Sequence, residues 1–237
     1  MNAMNTVEQA LSNWKNSLPK EIPLAGLIAI SPIAYKWKSL YRARILREVV
    51  FWRLHDLLDQ SLALHKQGHA LGARILLRSG FETLATLIYL NQLKTHVLEG
   101  SLNFHSFCDK TATLLLGSRN ETTKHKSISI ITILEKCDKR YPGLMTLYAD
   151  LCEAAHPNYE GTCFGYSSID FDSHITKFQN KWSSMYTDKH LSSMLLCIAT
   201  FEHEYNEVSI SETRRLEKWI EDNDIELESS KPTDKNQ

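Results

Sequence analysis

Between Ile33 and Lys66 the chain carries neither glycine nor proline, and Ile45, Val49, Trp52, Leu57, Leu58 and Leu62 recur there mostly at steps of three to five. Apolar residues at that recurrence, uninterrupted by a turn former, predict one long helix, straight or bent. Gly68 breaks it. From about His69 to Leu93 alanine, leucine and arginine dominate and no turn cluster bounds any strand-length piece, so a second long helix follows.

The flanking segments read the same way. Thr6 with Gln9 is a capping-box pattern, and Val7, Ala10, Leu11 and Trp14 share a face, predicting a first helix to about Leu18 that Pro19 and Pro23 stop. Helices are expected at Asn103 to Leu116, Ser127 to Arg140 and Gly143 to Ala155. In the second of these the alternation SISIITIL also fits a strand. Pro157 disfavours helical geometry at His156, so the chain should turn there through the loop HPNYEGTCFGYSS. A final pair, Ser183 to Glu207 and Ser209 to Asp222, has a second capping box at Ser209 and Glu212. The expected fold is an all-α, single-domain, irregular bundle of seven or eight helices over residues 1–225, with a disordered tail at 226–237 that has nothing to bury.

Composition narrows the function classes. Of 237 residues, 43% are hydrophobic and 23% charged, the make-up of a folded soluble protein. With 27 Lys+Arg against 28 Asp+Glu, the net charge of -1 gives no global attraction for nucleic acid or anionic lipid, so such a partner must be held by a local patch. Five widely spaced cysteines (Cys108, Cys137, Cys152, Cys163, Cys197) with no C-x-x-C pair predict a reduced, cytoplasmic chain. No basic leader with an apolar core opens the sequence. The most apolar uncharged window, Ile22 to Tyr35, is interrupted by Pro23 and Pro32 and falls short of the roughly 20 residues of a spanning helix, so no membrane role is expected. The sequence has no phosphate-binding glycine loop and no G-x-S-x-G, and the reading is of no cofactor, nucleotide or metal. A homodimer is expected, because this much aromatic and aliphatic surface leaves a face to pair.

Three groups of residues bear on chemistry. In GARILLRSGFETLATLIYL the only charges are Arg74, Arg78 and Glu82, four residues apart and therefore on one side of the helix. Charges in so apolar a segment are either paired internally, Arg78 with Glu82 and with helix-end carbonyls, or they line a pocket in which two guanidinium groups hold a phosphate or carboxylate. In LYADLCEAAHPNYEG, Glu153 and His156 have the Glu-x-x-His spacing of di-iron bundles without a second copy. Cys152 and His156 are spaced as a thiol and base, and Asn158 and Gly161 make the turn. The plainer reading of HPN is a helix stop whose side chains bind backbone groups. In GSRNETTKHKS, Arg119 and His125 are a chemically sensible pair for metal-independent RNA cleavage, the arginine holding the phosphate and the histidine moving protons, or else residues of a solvated loop. Two other patterns are weaker. YKWKSLYRARILRE interleaves aromatic and basic residues but spreads its charges around the helix, and His65 and His69 have zinc spacing with Gly68 between them.

The segments GARILLRSGFETLATLIYL and LYADLCEAAHPNYEG together resemble a group of uncharacterised bacterial helical proteins with an Arg-x3-Glu helix and a later CE-x-x-HPN-x-x-G turn, over about residues 40 to 165. That group is similar to the HEPN superfamily of helical bundles, several of which are RNA-cleaving toxins or defence components that act as dimers. The resemblance implies a bacterial stress or phage-defence protein that binds or cleaves RNA, and lends Arg119 and His125 the roles of phosphate holder and acid/base. The superfamily's Arg-x4-6-His motif opens a helix late in the bundle; here the pair lies mid-chain. The reading from a different class is a non-enzymatic, homo-oligomeric interaction module in which Arg74, Arg78, Glu82, Glu153, His156 and Asn158 hold the architecture together.

Overall fold

The computed structural model describes residues 2–232. It is all-α, with ten helices among the described residues, eight of them of seven residues or more, and one small hairpin. Both long helices are present, α4 (Lys38–Lys66) and α5 (Ala70–Leu98), joined through Gly68 at a φ of 79°. Before them come α1 (Ala3–Ser17), α2 (Leu24–Ile30) and α3 (Pro32–Lys36). After them come α6 (Phe104–Leu116), α7 (Ile130–Asp138), α8 (Leu144–Ala155), the antiparallel strands β1 (Ser167–Asp170) and β2 (Ile175–Phe178), α9 (Trp182–His203) and α10 (Ser209–Ser229).

Several expectations are corrected. The helix expected from Ile33 is two, because Trp37 is extended (φ -82°, ψ 108°) and its buried indole packs edge-on against Phe104 at 5.1 Å. Within α4 the buried stripe is Leu40, Ala43, Leu46, Val50, Leu54, Leu58 and Leu62, whereas Val49 and Trp52 are half-exposed. The helix carries two apolar stripes, and recurrence alone does not say which one meets a neighbour. Neither capping box forms. Helix α1 starts earlier, capped by the side chain of Asn2 on the Met4 amide, and Thr6 lies inside it. Ser209 is helical and buried, since a π-type turn at Glu204–Val208 carries α9 into α10. The expected loop after His156 contains a π-type helical turn at Tyr159–Phe164 and then the hairpin. The expected tail begins too early, because α10 runs to Ser229 and buries Leu227; from residue 233 that expectation lies outside the described residues.

The single domain is corrected as well: the chain divides into two compact units. The first comprises Met1–Leu18, Trp52–Leu84 and Leu134–Thr200; the second comprises Pro19–Phe51, Ala85–Ile133 and Phe201–Gln237. No linker betrays the division because its boundaries fall inside α4, α5, α7 and α9. In the first unit α5 lies close on α4. A Cβ added at Gly80 would meet Leu58 at 3.3 Å, and Leu58, Leu77, Phe81, Leu84 and Leu151 are sealed from water. Each such side chain contributes about 1.5–3 kcal/mol by burial. The second unit has an aromatic core in which Phe104 contacts Trp37, Phe107 and Trp219, and Phe51 contacts Phe201. No described helix is long and apolar enough to cross a membrane.

Candidate functional site

The charged stripe lies in the first unit, where α5 sets Arg74, Arg78 and Glu82 on successive turns. Helix α8 supplies their partners. Arg74 is fully buried; its Nη2 donates to Asp150 Oδ2 at 2.7 Å and to the Asp150 carbonyl at 3.2 Å, and its guanidinium lies 3.8 Å over the Tyr186 ring. Lys189 donates to the other carboxylate oxygen of Asp150 at 2.6 Å. Burial opposes the charge on Asp150, but the bonds from Lys189 and Arg74 outweigh it and hold the carboxyl below its usual range.

One turn on, Arg78 Nη2 donates to Tyr148 Oη at 2.7 Å and reaches Glu82 Oε1 at 3.0 Å, while Tyr148 Oη donates to Glu82 Oε1 at 2.8 Å. Arg78 Nε donates to Cys152 Sγ at 3.2 Å, so the thiol is engaged by the arginine rather than by His156. Burial raises the Tyr148 phenol, and its bonds with Glu82 and Cys152 raise it further. The three charges predicted to share a side do so, and each is matched inside the protein.

The second predicted group separates from the first. His156 ends α8 in an extended conformation (φ -103°, ψ 144°) and is exposed. Asn158 donates to Glu153 Oε2 and accepts from the Gly161 amide at 2.8 Å. A Cβ at Gly161 would run into the His156 carbonyl, so only glycine lets the turn close on the end of α8. The HPN-x-x-G segment is thus a helix stop with its own cap. Among the described residues no three His, Cys, Asp or Glu side chains are grouped so as to hold a metal ion. His65 stacks on His190 at 4.8 Å rather than pairing with the exposed His69.

Arg119 and His125 lie in the second unit, on the loop between α6 and α7. The loop is tied at its feet: the Ser118 amide donates to the His125 carbonyl at 2.8 Å, and the Ser127 amide donates to the Ser118 carbonyl at 3.2 Å. A Cβ at Gly117 would stand 2.8 Å from Ser127 Cα, so the close approach of the feet needs glycine. Thr123 braces the interior through its bonds with Ser118 and with the Leu116 carbonyl. This brings His125 back beside the residue preceding Arg119. Arg119 is exposed and His125 half-buried, and no hydrogen bond or ion pair engages either side chain among the described residues.

Sequence reasoning missed a third cluster, also in the second unit. The fully buried Lys94 donates to Asn91 Oδ1 (3.1 Å), Ser209 Oγ (3.3 Å) and Thr213 Oγ1 (3.0 Å), and Asn91 donates to Glu204 Oε2 at 2.8 Å. Burial pushes the Lys94 ammonium down to about 7, Arg47 and Arg44 adding to the effect and Glu212 and Glu204 opposing it. The signal was a lone lysine in an apolar stretch of α5. The basic stretch around Trp37 is neutralised locally, with Lys36 on Asp224 at 2.6 Å, Arg44 on Glu217 at 3.1 Å and Arg47 stacked 3.4 Å over Tyr205. Compared with family models, with curated proteins and with solved structures, the chain finds no match.

Proposed function

We propose that this chain binds single-stranded RNA and cleaves it without a metal ion through the loop between α6 and α7, as a bacterial stress or defence protein would. The observation that carries the reading is the tied loop, which holds Arg119 and His125 on its two feet with both side chains free for a ligand. Arg119 binds the scissile phosphate as a planar donor of two parallel bonds. His125 takes the proton of the ribose 2′-hydroxyl as that oxygen attacks phosphorus. The bond to the 5′-oxygen breaks, and the imidazolium returns the proton to it. The products are a 2′,3′-cyclic phosphate and a 5′-hydroxyl.

The test is incubation with an end-labelled single-stranded oligoribonucleotide in EDTA. The expected outcome is cleavage that survives EDTA, falls by about 100-fold or more in His125→Ala, and loses salt-dependent binding in Arg119→Ala. An intact oligonucleotide that the protein also fails to bind rejects the reading. A non-enzymatic interaction module would then be the better account, and the closed network of Arg78, Glu82 and Tyr148 favours it, because every charge there is already used.

A further inference from the structure

We propose that the β1–β2 hairpin is a homodimerisation surface on which β2 pairs, edge to edge and antiparallel, with β2 of a second copy. The hairpin concentrates apolar surface that the fold does not cover. Phe178 is 81% exposed, Phe171 78% and Tyr159 72%, and Phe164, Ile169 and Ile175 are open beside them in sequence. All four residues of β2 are exposed, so the strand buries neither of its faces. A two-stranded hairpin is marginal in water, and a further strand with a covering surface is what such an element lacks.

The backbone says where that strand goes. Ser167 pairs with Phe178 and Asp170 with Ile175, and the Gln179 amide donates to the Tyr166 carbonyl at 2.9 Å. Since hydrogen-bonded and non-hydrogen-bonded pairs alternate along an antiparallel ladder, Ile175 and Lys177 turn their backbone groups toward β1. Thr176 and Phe178 turn theirs outward. The β1 edge is already used at Ser167, whose carbonyl accepts from Lys181 Nζ at 2.6 Å. The open edge is therefore β2.

The occupant that fits is the same chain. A two-fold axis between antiparallel strands must pass through one residue paired with its own copy, and outward hydrogen bonding selects Thr176 or Phe178 for that place. Either choice keeps the two Lys177 side chains from standing directly opposite each other, the arrangement like charges disfavour. Lys177 is moreover bridged to Asp170 at 3.4 Å, so the patch offers no net charge with which to select an oppositely charged partner. The six apolar residues expose on the order of 700 Å² together, taking 150–250 Å² for each aromatic, close to the roughly 800 Å² that each side of a standard interface buries. An isologous pairing also closes the edge and stops further growth.

The inference does not rest on the RNA reading, and light scattering of the full chain without nucleic acid tests it. At micromolar concentration the expected mass is twice 27.2 kDa. Phe178→Lys and Thr176→Pro should each return the single-chain mass with an unchanged far-UV circular dichroism spectrum. The proline removes an amide that bonds only across the interface. Ile225→Lys, at an exposed position on α10, should keep the doubled mass. A wild-type chain of single mass overturns the proposal, and so does a doubled mass that both hairpin variants retain.

Discussion

Arg74 is a guanidinium with no access to water, and the carboxylate that makes its burial tolerable is Asp150. Asp150→Asn keeps the shape and removes the charge, leaving the arginine only the Asp150 carbonyl and the face of Tyr186. The expected cost is about 3 kcal/mol, the low end for breaking a buried pair because Asp150 itself is partly exposed. Urea unfolding read by tryptophan fluorescence checks it, and a loss below about 1 kcal/mol would place Arg74 among surface-type pairs. The stripe itself was legible, because a spacing of four fixes a shared side of a helix whatever surrounds it. Its partners were not: Asp150 lies 76 residues from Arg74, and Tyr148 lies 70 from Arg78. Nothing in local spacing distinguishes those two residues from other polar residues of α8.

At the level of elements, local stereochemistry was the reliable guide. Asn103 caps α6 through the amides of His105 and Ser106, and Pro157 leaves Ala155 as the last residue of α8, as expected. The two capping boxes failed for a nonlocal reason in one case and a local one in the other. Ser209 and Glu212 spend their side chains on Lys94 and on Thr95 and Arg215, whereas Asn2 starts α1 before Thr6 can. The hairpin escaped notice because strands of four residues are too short for alternation to register. The turn after α8 carries a prediction. Gly161→Ala forces backbone apart at His156, and a loss of about 1–3 kcal/mol is expected from that overpacking. A shifted urea midpoint measures it, with the Thr162→Ala midpoint as the local control. An unchanged midpoint in Gly161→Ala would mean that the turn closes without the close approach.

For the molecule as a whole, buried titrating groups set how stability varies with pH. Burial, with His65 and Arg74 adding to it, holds His190 down at about 3 against 6.5 unfolded, so stability rises with pH across that interval. Lys94, held down at about 7 against 10.5, binds its proton less in the fold than out of it, and stability continues to rise between those values. Burial and the bond to Glu217 raise Tyr35 to about 12 against 10.0, so stability falls with pH between them. Urea midpoints near pH 5, 7, 9 and 11 should therefore peak near pH 9 to 10, and Lys94→Met should flatten the rise above about 7 while sparing the acid limb. A wild-type midpoint flat between about 7 and 10 contradicts the role of Lys94. What the sequence by itself determined was the helical class and most helix ends, because periodicity, prolines and caps act within a few residues. Only tertiary structure decided which stripe of α4 is buried, which charges find partners, and that the chain condenses into two units. Those outcomes depend on contacts between residues far apart in the chain, whose energies local pattern does not encode.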